Sequence, residues 1–540
     1  MSSVKVCQTT CVRVLAMILV VFASSSGARA DVDAANVAAT LHLYAQGQQR
    51  SLNPLLEADT TAQEIGLLAY DTLLDVDSAG VYRPRLATGV PTLANGGISR
   101  DGKTITFKLR SGVLWHDGAP FTSADVAFTI AKINDPKVNI ASRHGYDKIV
   151  RVATPDARTV VITLREPYAP FATYVGTQYP IVPKHLLEKS PDINRDPIGS
   201  HPIGTGPYIF KSWERGTRLT YTANPNYFAG KPKIGTVQIA EIPDQNTAGL
   251  QLRTHALDFG SVESSVYAQL RDDPELKSAT EPLNDFNAYV LDVTRPILAD
   301  VRVRRAISMA IDRETLAKKN SFGTGTAAYA DLVAQTWKSP EPKNPYDFDV
   351  RAANALLDAA GWTRGASGIR EKSGEPLHLD GIDLGGSTTS ASIDVQVVQM
   401  LRDVGIDIAF KYSNVALYYD PVAGPLAKGE FDIAAFGFSA NIDPANDELY
   451  TCAARAPNGF NVARYCSPEM DALQRASLTT LDPKRRAALV VKIEELAVRD
   501  VPYVFTYHTP FRLIWNPKLH RTRTNFGSAW YDINHWYFTS

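Results

Sequence analysis

The residues with the clearest chemical potential are few, and the first is a glycine pair. In IGTGPYIF, Ile203 to Phe210, Gly204 and Gly206 stand one residue apart before Pro207. A dinucleotide loop needs glycines that admit backbone amides to a pyrophosphate, with a helix N-terminus behind them. Here the third glycine position holds Ile209, and the following YIFKSWERGTRLTYT reads as a strand pair. The glycines are therefore expected to permit backbone angles that other residues resist, and Pro207 to fix the entry to a strand. The motifs HExxH, GxSxG and GxxxxGK are absent, and Asp75-x-Asp77 before Gly80 lacks the later carboxylate of an acidic calcium loop, which makes it a turn. His116 and Asp117 are adjacent at a strand end and point in opposite directions, which argues against a catalytic dyad. A metal site gathered from dispersed His and Asp residues stays open at this level. No cofactor is implied, and the reading is of a binder rather than an enzyme.

Two cysteines carry the remaining covalent chemistry. Cys7 and Cys11 belong to a leader: Lys5 and Arg13 flank the start of the apolar run Val14 to Phe22, and Ala28-Arg29-Ala30 offers the small-x-small pattern of a cleavage site. The run is too short to span a bilayer, so residues 1–30 read as a cleaved export signal and the periplasm as the destination. In such an oxidising compartment Cys452 and Cys466 are expected to form a disulfide that orders CAARAPNGFNVARYC. The near balance of 56 basic and 57 acidic residues gives no footprint for nucleic acid. With 23 tyrosines, 20 phenylalanines and 7 tryptophans, the chain has aromatic side chains to spare for lining a pocket between lobes.

The elements that would position such a pocket alternate between strand and helix. Asn36 to Tyr44 has strand alternation, and Thr60 to Leu74 has helical spacing at Ile65, Leu68, Ala69 and Leu73. Thr104 to Leu109 is a strand after an Asp-Gly turn; Thr122 with Asp125 predicts a capped helix carrying Val126, Ile130 and Ile133 on one face. VRVATPDARTVVITLREP predicts a hairpin, and PYAPFATYVGTQYPIVPKHLLE a proline-bounded helical segment. Three further strands precede a helix over Asn246 to Thr254. From Asp300, Val303, Ala306, Ile307 and Ala310 form an apolar stripe, with Arg302, Arg304 and Arg305 expected on a solvated face. Helices opened by Asp349 and by Asp482-Pro483 follow.

In order along the chain, TFKLRSGVLWHDGAPFTSADVAFTI, PIGTGPYIFKSWERG with NPNYFAGKPKI, DVRVRRAISMAIDRETL and SPEMDALQRASLTTLDPKRRAALVVKIEELAVRDVPYV together resemble the extracytoplasmic solute-binding proteins of ABC importers, in family 5, the class of the dipeptide- and oligopeptide-binding proteins. The resemblance implies an α/β fold: the two-lobe periplasmic binding protein fold of type II, with an extra β-rich subdomain and a hinge. It places lobe I in residues 31–74, 199–286 and 505–540, the β-rich subdomain in 75–198 and lobe II in 287–504, with the glycine turn marking re-entry into lobe I. It also implies a monomer that closes on a ligand and engages a membrane permease and its ATPase at the inner membrane.

Specificity is where the resemblance loosens. Peptide binders of this class carry an aspartate after a Trp-x-x run that pairs with the ligand's α-amino group. The matching stretch here is GFSANIDPAND, with Phe438 at the tryptophan and Asn441 at the aspartate; an asparagine accepts a hydrogen bond but supplies no charge. Asp443, two residues on, is a substitute if the loop is shifted. The expected cleft residues are Phe438 as an apolar face, Ser439 and Asn441 as hydrogen-bonding groups, Asp443 as a charge anchor, Tyr44 and Gln46 at the exit of the first strand, and Tyr507 with His508 near the last crossing. Tyr44 and Tyr507 also read as core tyrosines, and Asp443 as a cap before Pro444. The ligand stays open between a peptide and a sugar or opine-like compound. A sensory binding protein and a secreted hydrolase with dispersed carboxylates are the alternatives of role.

Overall fold

The computed structural model describes residues 36–56, 60–140, 142–332, 344–385, 388–420, 422–440 and 442–539. The expected export signal and Asn441 lie outside them. The first strand, Thr40–Ala45, buries Leu41 and Leu43 completely, as its alternation requires. It pairs in parallel with Thr236–Glu241, and Arg218–Ala223 and Tyr208–Glu214 complete a four-stranded sheet in that order. A three-stranded antiparallel sheet, Thr104–Lys108, Thr159–Leu164 and Ile149–Asp156, shares one continuous apolar core with it through Leu41, Phe107, Ile162, Tyr208 and Val237. Against the smaller sheet lies the helix Ser123–Ile133. Thr122 and Asp125 form the expected capping box, and Val126, Ile130 and Ile133 point into the core.

Gly204 and Gly206 do serve the architecture, for a different reason than backbone angle. Neither has a positive φ. A Cβ on Gly204 would lie 1.8 Å from the carbonyl oxygen of Ala69, and one on Gly206 would lie 2.5 Å from the Ala69 carbonyl carbon. The turn presses against the end of the helix Thr60–Ala69, and the Gly206 N–H donates to the Ala69 carbonyl at 2.8 Å. Close approach of two backbones demands glycine here. The His116 ring joins this contact, 3.0 Å from the Gly206 carbonyl and 3.3 Å from the Gly204 N–H.

The second body is built on a six-stranded mixed sheet in the order Thr326–Ala327, Tyr503–His508, Asp285–Leu291, Ile433–Ser439, His378–Leu384 and Asp407–Ser413. Separate apolar clusters cover its two faces, one around Ile307, Leu379 and Val504, the other around Phe286, Phe436 and Tyr503. The helix Val301–Ala310 buries Val303, Ala306, Ile307 and Ala310 as expected, and Arg302 is exposed. Arg304 corrects the expectation of a solvated face. It is 6% exposed, and its guanidinium donates to the carbonyls of Leu298, Ala299, Asp500 and Val501. Two of these carbonyls close the helix Pro483–Asp500, whose last turn lacks intrahelical donors, and a long arginine supplies them. The expected helical segment after Pro167 is reduced to the four-residue helices Phe171–Tyr174 and Lys184–Leu187, because prolines recur too often for a longer run. Cys452 and Cys466 are bonded as a disulfide.

Two crossings join the bodies. The strand Lys277–Glu281 belongs to a three-stranded sheet with Phe259–Ser261 and Phe511–Trp515, and the next strand, from Asp285, belongs to the six-stranded sheet. The return is equally short, from His508 to Phe511. The crossings run side by side: the Thr509 N–H donates to the Asp285 carboxylate at 2.9 Å, and His508 Nδ1 meets the Asp285 carbonyl at 2.8 Å. This is a two-lobe fold with a paired-strand hinge.

Candidate functional site

A cavity of about 170 Å³ opens where the two bodies meet. One wall is the helix Thr60–Ala69 with Gln63, Glu64 and Leu67, continued by Thr72, Asp75 and Val76. Thr173 and Thr177 come from the region of the smaller sheet, and Asn525 to Ser528 from the C-terminal segment. Asn284, at the first crossing, and Ala440 and Ile442, beyond the strand Ile433–Ser439, form the opposite side. A chamber of about 40 Å³ adjoins it, sharing Glu64, Thr72 and Asp75 and adding Asp71, Arg85 and Asp532.

The electrostatics of this wall are lopsided. Arg85 is the one cation lining either space among the described residues, and three carboxylates face it: Asp71 at 2.8 Å, Asp75 at 3.7 Å and Asp532 at 3.8 Å. Asp71 is otherwise held by the hydroxyls of Thr205 and Tyr227, and Asp532 pairs with His535 at 3.0 Å. Glu64 accepts from the Ser528 hydroxyl at 3.0 Å and from the Ala529 N–H. Asp75 accepts the N–H of its neighbour Val76 at 2.8 Å and meets Arg85 only at ion-pair range. Burial raises its pKa above the ordinary carboxylate value despite Arg85, and Asp532 and Asp71 push the same way. A ligand group offering positive charge or N–H donors would relieve that wall.

The expected site residues divide. Phe438 and Ser439 end their strand opposite Phe286 and Asp285, and Tyr507 pairs with Asn287. His508 contacts Asp285, so these four gather at the hinge end of the six-stranded sheet. The Phe438 ring packs on Phe436 at 6.0 Å and on Phe286 at 5.9 Å, and Ser439 is exposed. Tyr507 borders a second space of about 140 Å³ with Asn287, Asp383, Tyr419 and Phe436. Its hydroxyl pKa is raised to about 12 by burial, with Asp285 adding to the effect. Tyr44 is buried, its hydroxyl donating to the Ser261 carbonyl at 2.5 Å and lying 3.2 Å from Gln245 Oε1, while Gln46 is exposed. The Asp443 carboxylate is taken by Arg486 in a two-pronged ion pair at 2.5 and 2.6 Å. None of the seven described candidates lines the 170 Å³ cavity; Ala440 and Ile442, on either side of Asn441, do.

Sequence reasoning passed over Glu64, Asp75, Thr173, Thr177, Asn284 and Asn525. The Asp75-x-Asp77 pair was a partial signal: Asp77 does make the turn, accepting from the Ala79 and Val81 N–H groups, whereas Asp75 faces the cavity. Among the described residues no group of three or more His, Cys, Asp or Glu could hold a metal ion.

The model of the bacterial extracellular solute-binding proteins, family 5, matches residues 82–460. The chain belongs to this family. Protein XP55 of Streptomyces lividans is 32% identical over 447 residues, covering 82% of this chain and 78% of that protein. The oligopeptide-binding protein AppA of Bacillus subtilis is 25% identical over 500 residues, covering 91% and 90%. Its structure in complex with a nonapeptide superimposes with a TM-score of 0.81 at 24% identity, covering 93% of this chain and 99% of that one. NikZ of Campylobacter jejuni, in complex with Ni(L-His), gives a TM-score of 0.80 at 23% identity, covering 92% and 99%. These two structures carry the fold alone. The family and these neighbours are binding proteins, and no helix among the described residues is long and apolar enough to cross a membrane.

Proposed function

We propose that this family 5 protein is the periplasmic solute-binding component of an ABC importer, capturing a peptide or similar small solute between its lobes and delivering it to a membrane permease. The observation that carries the reading is the 170 Å³ cavity, whose walls come from both sides of the paired crossings, so that rotation at the hinge opens or seals it. A ligand there stabilises the sealed form only in proportion to its preference for it. The lobes proposed are the expected ones with their limits moved to the two crossings, since cuts at 286/287 and 504/505 would divide the strands Asp285–Leu291 and Tyr503–His508: residues 31–74, 199–284 and 509–540 for the first and 285–508 for the second, with 75–198 as the β-rich subdomain, exported behind residues 1–30. The protein acts as a monomer and as a binder; turnover of the bound solute would overturn the latter.

The excess of carboxylates around Arg85 supports a ligand with a cationic or donor-rich end, with Asp75 in the anchoring role that Asn441 lacks the charge to fill. A non-peptide solute is the second reading, favoured by Asn441 standing where peptide binders of the family carry aspartate. Native mass spectrometry of the mature protein, before and after mild denaturation, tests both. A released peptide or other amine whose retention is lost in Asp75→Asn supports the first reading. A neutral sugar retained equally by Asp75→Asn would replace it with the second.

A further inference from the structure

Away from the hinge, the region of the smaller sheet docks on the second body along a seam. The Ala169 N–H donates to the Leu478 carbonyl at 2.7 Å, and Gly102 lies against Leu481, where a Cβ would come within 2.6 Å of Cδ1. At one point on this seam the contact is ionic. The His144 ring lies between two carboxylates of the second body, with Nε2 3.4 Å from Asp447 and Nδ1 3.5 Å from Glu448. All three side chains are largely buried, at 15, 14 and 21% exposure. Tyr174 and Tyr168 hold the ring edge-on from its own side at 4.6 and 6.2 Å, and both belong to the first core. Asp447 and Glu448 begin the short helix Asp447–Tyr450, whose Leu449 and Tyr450 are anchored in the second. Both ring nitrogens therefore face carboxylate oxygens across the seam at ion-pair rather than hydrogen-bond range, Nε2 and the Asp447 Oδ1 it faces making no hydrogen bond, and the attraction to two carboxylates exists only for the doubly protonated imidazolium.

We propose that His144 is a proton-dependent latch between the lobes, closing on Asp447 and Glu448 when charged and releasing them when neutral. The surroundings favour the charge. Burial works against it, but Asp447 first, then Glu448 and Asp147, outweigh burial and lift the pKa from 6.5 to about 9. The acceptors feel the same geometry: Glu448 has its pKa raised by burial, with His144 acting in the opposite sense. The other groups in reach are the Tyr168 hydroxyl, whose pKa burial raises well above its ordinary value, and Tyr174. Opening the seam returns His144 to water and to its ordinary range. A proton bound more tightly in the closed form stabilises that form fully below about 6.5, and the contribution disappears as pH rises through about 9.

The test needs no knowledge of the ligand and rests on the two-lobe fold alone. Small-angle scattering of the mature protein, stripped of bound solute, gives its radius from pH 6.5 to 10. The closed-to-open ratio of wild type should fall on the order of a hundredfold between pH 7 and 10. His144→Gln should show the larger radius at every pH, and His144→Lys, charged past pH 9, should stay compact where wild type has opened. An unchanged wild-type radius across the range, or coincident wild-type and His144→Gln profiles, would overturn the latch.

Discussion

Replacing Arg486 by methionine separates two roles that its partner could play. Asp443 and Arg486 are 8 and 7% exposed and joined at 2.5 and 2.6 Å, so neither charge has much water to fall back on. Breaking a buried pair from one side costs about 3–5 kcal/mol, because the remaining charge is left uncompensated. The Ala445 N–H still donates to Asp443 at 2.9 Å, which places the expected loss for Arg486→Met near the lower end, about 3 kcal/mol. In the double variant with Asp443→Asn no buried charge is stranded, so the pair should show a coupling energy of about 2 kcal/mol or more. Urea unfolding of the four proteins of the cycle, followed by circular dichroism at neutral pH, measures it. A loss under about 1 kcal/mol for Arg486→Met, the range of an exposed pair, would refute the reasoning. So would an Asp443→Asn variant of unchanged stability that releases its bound solute, since Asp443 would then be a ligand anchor.

Gly204→Ala should prevent accumulation of folded protein or lower the melting temperature sharply, since its methyl would start 1.8 Å from the Ala69 oxygen; Gly112→Ala, with φ +73 and nothing within 4 Å, should cost only about 1 kcal/mol by the same thermal scan. Asp285 at the hinge has its pKa raised from 3.8 to about 7, mainly by burial. For an acid shifted upward, the unfolded chain releases its proton first, so stability is lost as pH rises from about 4 to about 7. Asp285→Asn, which keeps an acceptor for Thr509, should therefore gain stability over wild type at pH 8 and not at pH 4; equal differences at both would contradict this.

Local rules of the sequence reached the elements that depend on neighbours in the chain. The capping box of Thr122 and Asp125 and the alternation of Leu41 and Leu43 needed nothing more. Arg304 escaped the same reasoning because helical spacing says which side a residue faces, not that another helix ends there with unsatisfied carbonyls. The glycine turn was legible as architecture, while its cause, the Ala69 carbonyl, lies more than a hundred residues earlier. The site was harder still. The resemblance led to the loop around residue 441, and Ala440 and Ile442 do line the cavity. Glu64 and Asp75 meet Thr173, Asn284 and Asn525 there from four separate stretches, and no periodicity links them. Asp443 looked available only because Arg486 is remote in sequence.

The placement of Phe511–Trp515 governs the order in which this molecule can assemble. It is the middle strand of its sheet, bonded to Phe259–Ser261 on one side and Lys277–Glu281 on the other, and Tyr503–His508 likewise stands inside the six-stranded sheet. Asn36 exchanges two hydrogen bonds with the backbone of Phe538, at 2.9 and 2.6 Å. The earliest segments thus wait for the latest to be synthesised, and in a growing chain the first body stays incomplete until the segments from Phe511 to Phe538 emerge. Long-range closure of this kind is slow. For the export proposed above, in which the chain would thread a membrane channel unfolded, the delay would be useful: the native state would be withheld until threading was done.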